Sequence, residues 1–452
     1  MRLHGLLTLP LLLVLSSCSG GSTSTNGLTD AGDDGDTPVF EVPAGEKFNA
    51  STITQHGVTW EFDGEYPAGR FANGDYWVVG PVTIVRIDPP SVSGSRIQNG
   101  SQINPVGGTS SQGFDNAMDR VSYDEDLNVA VDLSASSPLV VEPGSSLLST
   151  RSYDEEAVLP QLDGMQILTV LAEEPPDDAF RPAYCGSDKS IRFRASDLDT
   201  AVLLSLPRVS STPEMSVVER YFERPWMDHL KGWSARYSFP NDNMPDYGRE
   251  MSHRVSVAAL ILNMDFTDDE KSTLLISFVQ LGIDLYGIVE NGGQVNWKND
   301  GGHSAGRKWP ILFAGIVLND PDMLAIGSDT ETLFGEDGQT FYVAMEDGEI
   351  NDGHGGYTAD DVGMAEWGIT HSTRPHNDNK SWGTSYRQCC TAVSWSGWVL
   401  AARMMDALEL WNHDALFDYQ DRYMETEEGP GYPRASDSFL EESWDTYRST
   451  LD

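Results

Sequence analysis

The chain has 452 residues, 39% apolar and 10% aromatic, with 29 Lys and Arg against 70 Asp and Glu for a formal net charge of −41. So few bases exclude nucleic-acid binding through bulk electrostatics, which needs a basic face, and an anionic bilayer surface repels such a chain. The apolar and aromatic content excludes global disorder, and the length suits two or three domains.

Residues 1–18 carry Arg2, an apolar run over 6–15, and then Ser16, Ser17 and Cys18. The run is too short to span a bilayer and reads as a signal peptide, residues 1–17. Its end, Leu15-Ser16-Ser17-Cys18, resembles the lipobox of bacterial lipoproteins. That resemblance implies lipidation of Cys18 and anchoring in the bacterial cell envelope, at the outer membrane or cell surface, facing periplasm or exterior. An ordinary secretory signal, leaving a free thiol, is the alternative. Residues 18–47 read as a flexible tether, because the Gly, Ser, Thr, Asn and Asp of 19–37 bury too little apolar surface to offset chain entropy. The Asp cluster there matches no metal-loop spacing. Beyond Cys18 only Cys185, Cys389 and Cys390 remain. Adjacent cysteines rarely pair with each other, so at most one bridge is expected, from Cys185 to one of the pair.

Residues 48–206 show short alternating runs such as Val58-Thr59-Trp60-Glu61-Phe62, separated by Gly, Pro, Asn and Ser clusters. This pattern predicts an N-terminal antiparallel β-sandwich. Its segment Asn73-Gly74-Asp75-Tyr76-Trp77 offers a sugar-stacking platform, but a turn followed by a core strand is the preferred reading.

Over 207–452 the period changes. Leu274, Phe278, Leu281, Leu285 and Ile288 line one face of a long helix that opens at Thr267-Asp268-Asp269-Glu270. Further helices are predicted over 254–266, 309–318, 391–410 and 413–424. Helices joined by long irregular connections predict an all-α, (α/α)-toroid-like domain.

The chemistry concentrates in this helical half. The segment 297–310 places His303 among Gly301, Gly302 and Gly306, beside Arg307 and Lys308 and between Trp297 and Trp309. Glycines let backbone approach a ligand closely, and loops before helices commonly hold catalytic groups. A second segment, 367–390, holds His371, Arg374, His376, Lys380, Trp382, Tyr386 and Arg387. Between them 309–373 contains no Lys or Arg but 13 acids, as if two basic loops meet in a positive pocket. Tyr247, Arg249 and His253 form a third candidate, with Arg249 and His253 one helical turn apart.

Trp platforms beside cations suit an acidic polysaccharide. Removing the C5 proton of a uronate requires a group that neutralises the carboxylate, a base, and an acid for the leaving oxygen. With this inventory the chain resembles the α/α-toroid polysaccharide lyases, the group of alginate lyase-like and heparinase-like enzymes. There a loop His, often beside an Asn, works with a Tyr and an Arg. The resemblance implies Asn299 and His303 with Tyr386 and Arg387, although Asn299 and His303 are not adjacent and Tyr357 competes for the Tyr role. The expected assignment makes Tyr386 the general base and acid, and His303 a base or carboxylate neutraliser. Arg307 and Arg387 are then the carboxylate contacts. Lys308, Asn299, Tyr247, Arg249, His253, Trp297, Trp382, His371 and His376 complete the expected substrate contacts. No cofactor is expected, with calcium left open. Three other classes stay open: a glycoside hydrolase using carboxylates such as Asp300, Asp360, Asp361 or Glu366, a metal enzyme using His354, His371 and His376 with Asp352 or Asp360, and a non-catalytic glycan-binding lipoprotein.

Overall fold

The computed structural model describes residues 45–369, 384–426 and 433–451. Cys18, His371, His376 and Trp382 lie outside the described residues.

The N-terminal region is one curled mixed sheet and not a sandwich of two antiparallel sheets. Its strands are β1 (Lys47–Gln55), β2 (Val58–Arg70), β3 (Tyr76–Val79), β4 (Val82–Asp88), β5 (Ser101–Ile103), β6 (Leu139–Val141), β7 (Ser145–Ser152) and β8 (Leu162–Leu171). The order is β5-β7-β8-β3-β2-β4-β6, with β1 also pairing β2. All pairs are antiparallel except β8 with β3, where Leu168 aligns with Tyr76. The physical reason for the difference lies in β7 and β8, which are buried on both faces. Leu147 and Leu168 face the sheet's own core with Trp60, Val78 and Ile84. Leu148, Met165 and Ile167 turn the other way and join the helical core around Phe278, Trp309 and Trp398. Helices therefore occupy the place that a second sheet fills in a sandwich.

Arg181 cross-links the two regions. It is fully buried and donates from Nε to Asp75 at 2.6 Å and from Nη1 and Nη2 to Asp284 at 3.0 and 2.5 Å. Asp75 belongs to the turn between β2 and β3, and Trp77 beside it is also buried. This segment is a turn and core strand, not a sugar platform.

The main helices are α1 (Gly248–Ile261), α2 (Asp268–Ile288), α3 (Lys308–Leu318), α4 (Thr384–Cys390), α5 (Ser396–Met404), α6 (Asp414–Thr426) and α7 (Ser438–Tyr447). The start of α2 is the expected one, with Thr267 and Glu270 forming a reciprocal capping box. Helix α1 begins earlier than 254, because Tyr247 caps it. The predicted helix over 391–410 is broken, and only Ser396–Met404 is a long α-helical stretch there. On it Trp398 stacks on Trp411 with ring centres 5.3 Å apart. Helix α2 packs on α3, and α1 packs on α5.

Candidate functional site

Three segments close around His303. Gly248 opens α1 directly against the His303 carbonyl group, where a Cβ has no room, and Gly302 lies against the Cys390 carbonyl oxygen and the Tyr247 hydroxyl. Gly306 takes φ +87°, a turn that side-chain-bearing residues rarely adopt. The loop before α3 thus meets the end of α4, as the two basic segments required.

His303 is only 4% exposed. Trp233, Phe239 and Tyr247 surround its ring at centroid distances of 5.1, 6.4 and 6.5 Å. Burial, helped by Arg307 and Arg236, lowers its pKa to about 3, against a hydrogen bond with the Gly232 backbone. The imidazole is therefore neutral near pH 7, and its Nδ1 has no hydrogen-bond partner among the described residues.

Beside it lies Tyr247, whose pKa is raised first by burial and then by the neighbouring Tyr386. Tyr386 stacks on Trp367 with ring centres 6.0 Å apart. The Arg249 guanidinium lies 5.7 Å from the Tyr247 ring centre, binds Glu250 and donates to the Cys389 carbonyl. Arg236 lies 4.3 Å over Trp233 and pairs with Asp246 at 2.9 Å. Trp233 is 39% exposed, so it presents an aromatic face to solvent at the rim.

Several expected contacts lie elsewhere. Arg307 is 2% exposed, pairs with the equally buried Asp228 at 2.9 Å and binds the carbonyl groups of His303 and Ala305. It braces the loop from behind and does not present its guanidinium to a substrate. Lys308 is buried against Asp337 at 2.6 Å and the Trp411 carbonyl at 2.8 Å. Arg387 is held by Glu366 at 3.2 Å, and Arg422 shares that carboxylate at 2.9 Å. Trp297 is buried and stacks on Phe334. His253 pairs with Asp437, the cap of α7, at 2.6 Å. Asn299 lies against Gly338, and Tyr357 packs edge-on against Phe341. Arg307, Lys308 and Arg387 thus serve the fold more than a positive pocket.

Of the alternative carboxylates, Asp361 caps the turn at Thr358 and Glu366 holds two arginines. Among the described residues no group of three or more His, Cys, Asp or Glu side chains is placed to hold a metal ion.

Sequence reasoning missed Trp233, Arg236 and the cysteine pair. Cys389 and Cys390 are bonded to each other, and Cys185 is a buried free thiol. The expected bridge from Cys185 fails because Cys185 sits in the core shared by sheet and helices. Trp233 and Arg236, three residues apart after Gly232, form one helical turn, a signal too short to separate from an ordinary turn.

Comparison of the chain with protein-family models, with curated proteins and with solved structures gives no match.

Proposed function

We propose that this protein is an envelope-anchored polysaccharide lyase that cleaves a uronic-acid polymer by β-elimination at the Tyr247–Tyr386 pair. The observation that carries the reading is a pair of neighbouring phenols, with Tyr247 set between a neutral buried histidine and the Arg249 guanidinium. Because the Tyr247 pKa is raised, this phenol keeps its proton beside Tyr386. Tyr386 is then the group that takes the C5 proton and returns one to the leaving oxygen. His303 serves as an acceptor, since its imidazole is uncharged and cannot neutralise a carboxylate. That task passes to Arg249, whose side chain is 35% exposed and whose partner Glu250 is exposed too. Trp233 supplies the stacking face.

In this reading the helical region is an incomplete α/α toroid, with α2 packed on α3 and α1 packed on α5. Cys18 carries the lipid.

The test is digestion of a panel of uronate polysaccharides while following the ultraviolet absorbance of the unsaturated product. Absorbance that grows with wild type and vanishes with Tyr386→Phe supports the assignment. New reducing ends without absorbance replace it with a hydrolase, and retention on a glycan column without cleavage replaces it with a binding protein.

A further inference from the structure

The Cys389–Cys390 bond sits where the segments of the site converge. The Cys389 sulfur lies 3.6 Å from the Tyr386 carbonyl oxygen, one turn earlier in α4. The Cys389 carbonyl accepts from Arg249. The Cys390 carbonyl closes over Gly302, the residue before His303. Both bonded cysteines are partly exposed, whereas Cys185 is buried and its pKa is raised by that burial.

A disulfide between neighbours closes a small ring through their shared peptide bond. The Cys389 carbonyl, the acceptor for Arg249, is part of that ring and is held in one orientation, and the Cys390 carbonyl over Gly302 is carried on the ring's last Cα. We propose that the Cys389–Cys390 disulfide is the positioning clamp of the Tyr247–Tyr386 site, and that its reduction by a dithiol releases Arg249 and Tyr386 and switches the site off. The inference rests on the reading of that site as catalytic. In the switching step the S–S bond breaks, and the dithiol supplies two electrons and two protons. Each cysteine becomes a thiol and the dithiol becomes its own disulfide, by thiolate attack through a mixed disulfide. Oxidation reverses the step.

The experiment compares the full chain untreated and reduced with dithiothreitol. Alkylation followed by mass spectrometry labels neither Cys389 nor Cys390 before reduction and both after it, while Cys185 stays unlabelled in the folded protein. Hydrogen exchange then accelerates on reduction in peptides covering 247–253, 300–306 and 384–390, and stays constant in 145–171. The Cys389→Ser/Cys390→Ser double variant shows the exchange pattern of the reduced protein and no response to dithiothreitol. On a uronate polymer, reduction lowers kcat about tenfold with a smaller change in KM, the expected cost of a misplaced catalytic group. Alkylation of both cysteines in untreated protein overturns the clamp, and so does exchange at 247–253 and 300–306 that ignores reduction. Failure of the untreated protein to cleave any uronate refutes the lyase reading alone, because the exchange measurement uses no substrate.

Discussion

Replacing Arg307 by Met separates a bracing role from a substrate-binding role. Arg307 and Asp228 are each 2% exposed and joined at 2.9 Å. Removing the cation leaves a buried carboxylate without its counter-charge, which costs about 3–5 kcal/mol. That is a large share of the roughly 5–15 kcal/mol of a typical native protein. The sign with pH follows from Asp228. Burial already raises its pKa, and Arg307 is the leading influence that lowers it. Without Arg307 the folded-state pKa rises further above the unfolded value, so the folded variant binds more protons than the unfolded chain between those two values. Its stability therefore falls as pH rises through that window and recovers as pH drops. Urea denaturation of wild type and Arg307→Met at pH 7 and pH 5 reads both effects, with a deficit at pH 7 that shrinks at pH 5. Adding Asp228→Leu restores most of the loss at pH 7, because replacing a whole buried pair by apolar groups is often neutral. A variant as stable as wild type at pH 7, but with raised KM, refutes the bracing role and returns Arg307 to the substrate.

Tyr386→Phe lowers turnover about 10²–10⁴-fold, the range for loss of a general base, with an unchanged urea midpoint. Tyr247→Phe, which removes the phenol beside Tyr386, lowers it about tenfold. Gly302→Ala destabilises the fold by about 1–3 kcal/mol in urea titration, because its Cβ meets the Cys390 carbonyl and comes 2.7 Å from the Tyr247 hydroxyl; unchanged stability removes the close approach from the account. His303 and His229 are both buried with pKa values lowered to about 3 from 6.5. Each therefore favours folding fully above pH 6.5, and stability drops by up to about 1.4 kcal/mol per pH unit for each as pH falls from there towards 3. His229→Leu makes that slope shallower, and an identical slope contradicts the burial argument.

Periodicity in the sequence located the helical half because α2 and α3 carry their pattern over several turns and α2 has a capping box at its start. The sheet was legible as strands but not as a sheet. Strand β8 is buried along nearly its whole length, so it lacks the alternation that separates one face from the other. The site was half legible for a related reason. His303, Tyr386, Tyr247 and Arg249, which the structure brings near one another, stand out locally in the sequence as unusual residues. The roles of Arg307, Lys308 and Arg387 were not legible, because Asp228, Asp337 and Glu366 lie 79, 29 and 21 residues away in sequence. A cation's partner decides whether it faces ligand or core, and spacing along the chain does not show partners that distant. The cysteine pair misled because its bond belongs to the uncommon class of neighbours.

The charge distribution makes the final test. A protein of net charge −41 can bind a polyanion only where a local cation outweighs the general field. Arg181, Arg307, Lys308 and Arg387 cannot serve, since each is buried and its charge is met by a buried or partly buried carboxylate. Among the described residues around His303, Arg236 and Arg249 are the candidates, and their partners Asp246 and Glu250 have side chains 43% and 40% exposed. Exposed pairs are worth about 0–1 kcal/mol, so a substrate carboxylate displaces Glu250 from Arg249 at little cost. A charge-assisted hydrogen bond to that carboxylate is worth about 1.5–3 kcal/mol. Arg249→Gln should accordingly raise KM for a uronate polymer about 10–100-fold, with a smaller change in kcat. Salt should mimic the substitution in wild type, because the screening length is about 10 Å at 0.1 M, and should affect the variant less. If a neutral glycan is cleaved as well as a uronate, or if KM ignores both Arg249→Gln and salt, the substrate is not a polyanion held by Arg249.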